Sequence, residues 1–275
     1  MAFNRKVICR IGAPGEAGIE ISDLKISFEV KKTEKESLNE AEVRISNLSD
    51  QTVSRITGKD KALVLRAGYE DEGVKGLFFG SVKDVTTGRS GADRETVITA
   101  FDGYKNGREK VVSVSYAPGI SRKAVFQDLI QALGLPSSGG DLITGSFPGG
   151  FSFIGKVTAA LGRIVGAVDG ISWSIQNERF VVFHPDEPAE VTGLHLSPET
   201  GLIGSPEEIT EETEDGSVPE KKYRITSLLF PELLPGSRIK VTSRKVSGYF
   251  KVLSVIFSGC NLAGDFRAVS EVKPV

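Results

Sequence analysis

The chain is poor in the residues from which reactive sites are usually built. Its 275 residues include two cysteines, two histidines, one methionine and one tryptophan. Cys9 and Cys260 stand near opposite ends of the sequence, which excludes a disulfide-dense scaffold or a cysteine-rich zinc site and reads as two isolated thiols of a reducing compartment. His184 and His195 have no cysteine or third histidine at ligand spacing, and no G-x-S-x-G elbow occurs. No catalytic group, metal or cofactor is therefore expected. Charge of one sign is lacking too: 34 basic against 36 acidic side chains give a net charge of -2, which offers no basic footprint for nucleic acid or membrane. The longest apolar window, residues 147–173, is broken by Lys156, Arg163 and Asp169 and does not read as a membrane span. The first residues, Met1 to Val7, lack the apolar core and cleavage site of a secretory leader, so a cytoplasmic product is expected.

What is present is strand pattern. Val7, Cys9 and Ile11 alternate; Leu24, Ile26, Phe28 and Val30 alternate again after a phase slip at Ser22-Asp23 that predicts a bulge or bend. Val43 and Ile45 continue the pattern. A Ser or Asp cap in Asn47-Leu48-Ser49-Asp50 starts a short helix that Gly58 ends, and strands follow at 61–69, 77–86 and 94–101. The middle third changes period. Ser121 opens a helix with Val125, Phe126, Leu129, Ile130 and Leu133 on one face and Gly134 as its stop; a second carries Val157, Ala160, Leu161, Ile164, Val165 and Val168, with Gly170 as its stop. A hairpin turning at Asn177-Glu178 would set Ile175 opposite Phe180 and Trp173 opposite Val182. Strands resume at 223–229, 238–243, 248–257 and 265–273, after an acidic stretch expected to be a solvated loop. The strand at 248–257 carries apolar residues at both parities, including Tyr249, Leu253, Val255 and Phe257 against Phe250, Val252 and Ile256, which implies cover on both faces from this chain or a partner.

Three constellations invite a functional reading and each has a plainer one. Gly150-Phe151-Ser152-Phe153-Ile154-Gly155-Lys156-Val157 nearly spells a phosphate loop. Val157 stands where a magnesium-binding hydroxyl is needed, so entry into a helix is the better reading. Trp173 with Phe151 and Phe153 would make a stacking platform for sugars or single strands, yet no basic groove accompanies them and core packing fits their spacing. The carboxylates at 207–215 sit together in one polar run, with nothing to drive two pKa values apart for acid–base work.

The order of Ala41-Glu42-Val43-Arg44-Ile45-Ser46-Asn47-Leu48, Leu77-Phe78-Phe79-Gly80, Ile171-Ser172-Trp173-Ser174-Ile175-Gln176-Asn177, Thr200-Gly201-Leu202-Ile203-Gly204-Ser205-Pro206, Ile225-Thr226-Ser227-Leu228-Leu229 and Pro235-Gly236-Ser237-Arg238-Ile239-Lys240-Val241 resembles baseplate hub proteins of tailed, contractile-type bacteriophages and related tail-like particles. The resemblance implies a mainly β chain with a smaller α+β unit. Residues 1–103 and 189–275 would be tail-tube-like β-barrel domains flanking a helical and hairpin middle domain, 104–188, with an acidic loop at 206–221. It implies a structural, non-enzymatic subunit of a homotrimer, whose pseudo-sixfold ring adapts the sixfold tail tube to the threefold central spike. Its partners would be the tail tube protein, the central spike protein and other baseplate proteins, without sequence-specific nucleic acid or membrane. The particle would be assembled in the host bacterial cytoplasm and the subunit would reside in the virion tail baseplate. Expected assembly contacts are Gly201, Leu202, Ile203, Phe230, Leu233, Leu234 and Phe250, and the carboxylates Glu207, Glu208, Glu211, Glu212, Glu214 and Asp215 would face a channel. The alternative from the residues alone is a non-enzymatic β-rich binding module, an adhesin or carbohydrate binder.

Overall fold

A computed structural model describes residues 4–275 except 14, 36–37, 59, 91–92, 104–109, 189 and 210–220. The chain is mainly β, with 56% of residues in strands and 13% in helices. The first block lays down β1 (Arg5–Gly12), β2 (Ile19–Ile21), β3 (Ile26–Thr33), β4 (Glu40–Ser46), helix α1 (Asp50–Ile56), β5 (Ala62–Tyr69), β6 (Gly73–Ser90) and β7 (Asp93–Phe101). Period-two alternation drives these strands: Val7, Cys9 and Ile11 of β1 and Ile26, Phe28 and Val30 of β3 all point into the core. The phase slip at Ser22-Asp23 is the bend between β2 and β3. Helix α1 starts where Ser49 Oγ accepts the Thr52 N–H at 3.1 Å.

The last block contributes β15 (Glu190–Leu196), β16 (Leu202–Ile209), β17 (Lys222–Leu228), β18 (Ser237–Thr242), β19 (Ser247–Cys260) and β20 (Phe266–Pro274). Both blocks belong to one 13-stranded sheet, whose main path runs β16-β17-β20-β19-β3-β4-β7-β6-β5-β1-β2. The seam is antiparallel pairing of β19 with β3, from Ser254 opposite Thr33 to Cys260 opposite Ser27. Beyond the seam the blocks also meet through side chains. Tyr69 of β5 packs edge-on against Phe266 of β20 at 5.2 Å, and Arg5 lies over the same ring. A single hydrophobic cluster accordingly includes residues from Val7 to Val272. Among the described residues the strand pairing stays open: the main path ends at β2 and β16, and a branch from β19 through β18 ends at β15, so the expected barrels do not appear as closed barrels.

The pattern of β19 has a different cause from the one expected. Its register against β20 slips between Val252 and Ser254, leaving Leu253 as the extra residue of a β-bulge. The bulge reverses parity, so that Phe250 and Val252 before it and Val255 and Phe257 after it all point into one core. Apolar residues at both parities therefore do not mean two apolar faces.

Between the blocks lies the α+β unit: β8 (Val111–Tyr116), β9 (Ile120–Ser121), α2 (Arg122–Leu133), β10 (Ser137–Ser138), β11 (Ser146–Phe147), β12 (Phe151–Lys156), α3 (Val157–Val165), β13 (Ser172–Gln176) and β14 (Arg179–Phe183). It has its own hydrophobic cluster. Helix α2 buries Val125, Phe126, Leu129 and Leu133 and stops at Gly134, which takes the left-handed conformation at φ 71°. Helix α3 ends at Gly166, earlier than the expected stop at Gly170. There the N–H groups of Ala167 and Val168 bond back to Ile164 and Val165 in a tightened turn, and Gly170, at φ 72°, instead turns the chain into β13. Among the described residues no helix is long and apolar enough to cross a membrane.

Cys9 and Cys260 are free and buried, and burial pushes the Cys9 thiol up to about 12. A water-soluble disulfide reagent should therefore leave both thiols unmodified in the native protein and titrate both in denaturant; fast native reaction at Cys9 would contradict this core.

Candidate assembly site and the joint behind it

The seven residues expected at an assembly contact do not share one environment. Leu202, Leu233 and Phe250 are buried in the chain's own cluster, Gly201, Phe230 and Leu234 are half-buried, and Ile203 is 43% exposed. Gly201 sits at φ 103° with the Phe230 ring 2.8 Å from where a Cβ would stand, so this corner is closed by intrachain packing. Ile203 lies on β16, the end strand of the sheet. A register shift between Ile203 and Glu207, with Pro206 inside it, blunts that edge against further strand pairing.

The acidic stretch begins as strand rather than loop: Glu207 and Glu208 belong to β16 and are exposed, with Glu208 3.9 Å from Lys221. Glu211, Glu212, Glu214 and Asp215 lie outside the described residues. The phosphate-loop look-alike is β12, extended and paired with β8 from Phe151 opposite Tyr116 to Lys156 opposite Val111, and α3 follows at Val157. An extended ladder cannot wrap a phosphate with successive amides. Trp173 is 6% exposed and stacks on Phe180 at 4.8 Å and 13°, inside the unit's core, so it presents no platform. Among the described residues no three His, Cys, Asp or Glu side chains gather as a metal site.

The most elaborate polar arrangement lies where the sheet meets the α+β unit, and its buried members Lys32, Asn39 and Asp102 escaped the sequence reading. The β13–β14 hairpin has the expected register, Ile175 opposite Phe180 and Trp173 opposite Val182. Its turn residues Asn177 and Glu178 both have positive φ, 50° and 59°, as a type I′ turn requires and as a glutamate adopts only at a cost. Asp102, just beyond β7 and fully buried, meets that cost by accepting the N–H groups of both turn residues. Asn39, 1% exposed, donates to Asp102 at 3.3 Å, to the Ile175 carbonyl at 3.0 Å and to Gln176 Oε1 at 2.9 Å, while its own oxygen accepts the Thr33 N–H at 2.9 Å. Lys32, 2% exposed, donates to Asn177 Oδ1 at 2.9 Å. Glu178 Oε1 accepts the Gly103 N–H at 2.9 Å.

A second joint lies nearby in the fold. Lys251, fully buried on β19, stands 2.9 Å from Glu34 and donates to the carbonyls of Pro185 at 2.9 Å and His184 at 3.3 Å, just past β14. Lys273, its cross-strand neighbour, pairs with Asp186 at 2.8 Å. The second face of β19 is thus covered at Lys251 by the chain itself, whereas Tyr249 and Ile256 stay exposed.

Burial sets the electrostatics of the first joint. It raises the Asp102 carboxyl against the pull of its N–H donors and Lys32, lowers Lys32 to about 8 although Asp102 opposes this, and raises Glu178 to about 7, with Asp102 adding to the rise. The signal that would have found these groups is parity. Lys32 continues the inward series Ile26, Phe28, Val30, and Asp102 continues Ile98, Ala100; a charge at an inward position demands a buried partner.

No protein-family model matches the sequence, and no curated protein matches it. Solved structures do match. The tail protein from Neisseria meningitidis MC58 superposes with a TM-score of 0.65 at 11% identity, covering 98% of this chain and 97% of that one. The 43 kDa tail protein of prophage MuSo2 from Shewanella oneidensis gives 0.67 at 8% identity, with 98% of each chain covered. This chain has the fold of phage tail proteins. The same tail fold extends to the E. coli c3393 protein, a type VI secretion component with structural similarity to T4 bacteriophage tail proteins gp27 and gp5, at a TM-score of 0.60 and 10% identity over 96% of this chain and 76% of that one.

Two predictions test the joint. Asp102→Ala removes the acceptor of the two turn amides and leaves the buried Lys32 without the negative charge beside it, and should cost about 3–5 kcal/mol in denaturant unfolding, the range for leaving a buried charge uncompensated. Glu178 binds its proton more tightly folded than unfolded, so its contribution to stability is present below 4.5 and is lost as pH climbs to about 7. Unfolding curves across that window should show this slope in the wild type and lose it in Glu178→Gln, which keeps an acceptor for Gly103.

Proposed function

We propose that the protein is a structural subunit of a phage tail or tail-like particle, acting without catalysis as a hub. In this reading three copies form a ring in the baseplate, and the two strand blocks of each copy, 1–103 and 189–275, act as two tube-like halves. Six such halves would seat a sixfold tail tube above, and the threefold ring would seat a central spike below. The observation that carries the reading is the end-to-end fold match to two tail proteins, covering 97–98% of their chains as well as nearly all of this one. Two features support it. Strands from both blocks share one open sheet, whose end strands β2, β15 and β16 have one neighbour each among the described residues, which leaves edges for a ring of heterologous contacts. And Ile203 on β16 is an exposed apolar group at a blunted edge, suited to side-chain contact rather than strand addition. The carboxylates Glu207 and Glu208 follow it on the same strand, and in the ring they would lie toward the channel and repel DNA phosphate. The particle would form in the cytoplasm of the infected cell, with tube, spike and other baseplate proteins as neighbours.

Light scattering after size exclusion should give the mass of a trimer, either alone or after mixing with the spike and tube proteins encoded beside it. Ile203→Glu should lower the trimer fraction while the melting temperature of the monomer stays within a degree or two, because an exposed substitution has little effect on folding. A chain that stays monomeric at every concentration and binds neither neighbour contradicts the proposal.

A further inference from the structure

The outer side of the first block is not uniformly polar. Across four adjacent strands, Phe79 of β6 stands opposite Val64 of β5, Val64 opposite Arg10 of β1, and Arg10 opposite Glu20 of β2. Phe79 is 42% exposed. Leu135 and Pro136, from the connection after α2, and Glu178, from the β13–β14 turn, stand across from this row and enclose with it an open cleft of about 740 Å³.

The charges around the cleft are unevenly matched. Arg10 is taken up by Glu20 at 3.3 Å. Glu178 accepts one backbone N–H, from Gly103, and forms no ion pair among the described residues; Glu16, on the rim, forms none either. An apolar floor therefore leads to a half-buried carboxylate that has no counter-ion among the described residues. A carboxylate drawn out of water gains most from a cation that brings its own apolar stem. An acidic side chain would be repelled by Glu16 and Glu178, and a purely apolar one would bury Glu178 further without a partner.

We propose that this cleft receives a lysine or arginine side chain of a partner polypeptide, with its methylene stem on Phe79, Val64 and Leu135 and its cationic head on Glu178. The exposed ring of Phe79 adds attraction for the cation as it passes. The cleft and its charges belong to the single chain and do not depend on the identity of the tail assembly. Asp102 from the sheet acts on the Glu178 carboxyl, Glu16 and Arg10 line the cleft with it, and Lys32 is held by the neighbouring Asn177. Burial and Asp102 hold the Glu178 carboxyl up to about 7, and a bound cation favours its ionised form. Binding consequently releases a proton and strengthens as pH rises through 7.

The test is a titration followed by NMR at the Glu178 carboxyl carbon and the Phe79 ring, using capped tripeptides with lysine, arginine, norleucine or glutamate between two glycines. The lysyl and arginyl peptides should saturate shifts at both residues. They should bind at least about tenfold more tightly than the norleucyl peptide, about tenfold more weakly at pH 5.5 than at pH 8, and about tenfold more weakly to Glu178→Gln. Equal binding of lysyl and norleucyl peptides, absence of saturable shifts at pH 8, or undiminished binding to a folded Glu178→Gln variant would overturn the proposal. If that variant does not fold, the pH comparison on the wild type decides alone.

Discussion

A buried carboxylate stands at the centre of the joint between the two cores of this protein. Asp102 lies past the end of β7 and accepts the amides of a turn that belongs to the α+β unit. The turn's two positive-φ residues have no glycine among them, so their conformation depends on that acceptor. The orientation of the β13–β14 hairpin follows from the turn, and with it the stack of Trp173 on Phe180 and the cluster under α2 and α3. Lys32 and Asn39 complete the arrangement from β3 and the start of β4, while Lys251 and Lys273 make a parallel connection at the other end of the hairpin. Buried charges of this kind stabilise little on balance, but breaking one side of them is costly, and that asymmetry favours one docked geometry over its alternatives.

The seam between β3 and β19 does for the two strand blocks what Asp102 does for the unit. It makes a 13-stranded surface from pieces that lie far apart in the chain, and the bulge at Leu253 lets β19 serve the seam and the core at once. The bulge also bears on assembly. Once Phe250 and Val252 join Val255 and Phe257 in one core, the apolar groups of β19 left for a neighbour are Tyr249 and Ile256. In the proposed ring, contacts with other subunits would rest on the sheet's ends and exposed side chains rather than on a second apolar face of β19.

Much of this was legible residue by residue. Alternation placed β5, β7, β17, β18 and β20 within a residue or two, the periodic apolar face and Gly134 bounded α2, and Asn177-Glu178 marked its own turn and register. The mainly β architecture and the tail-protein resemblance both carried through to the fold. What stayed hidden was non-local or depended on a single inserted residue. Nothing near Ser27 or Cys260 announces that they pair, and Leu253 in a string of apolar residues looks like a strand with two apolar faces rather than a bulge. Of the seven residues expected to meet a neighbour, Leu202, Leu233 and Phe250 are buried in the core because hydrophobicity alone does not distinguish an interface from an interior. Lys32 and Asp102 were readable only by extending the inward series of their strands past the last apolar member.

The account turns on the chain being one rigid subunit with two tube-like halves that assembles into a threefold ring. Electron cryomicroscopy of the purified assembly, viewed down its axis, tests this most directly. It should give class averages that are threefold at high resolution and nearly sixfold when blurred, with three α+β units set at equal intervals and docked to the sheet as Asp102 requires. Averages with another rotational order, or a ring whose α+β units take variable positions against the sheet, would contradict it.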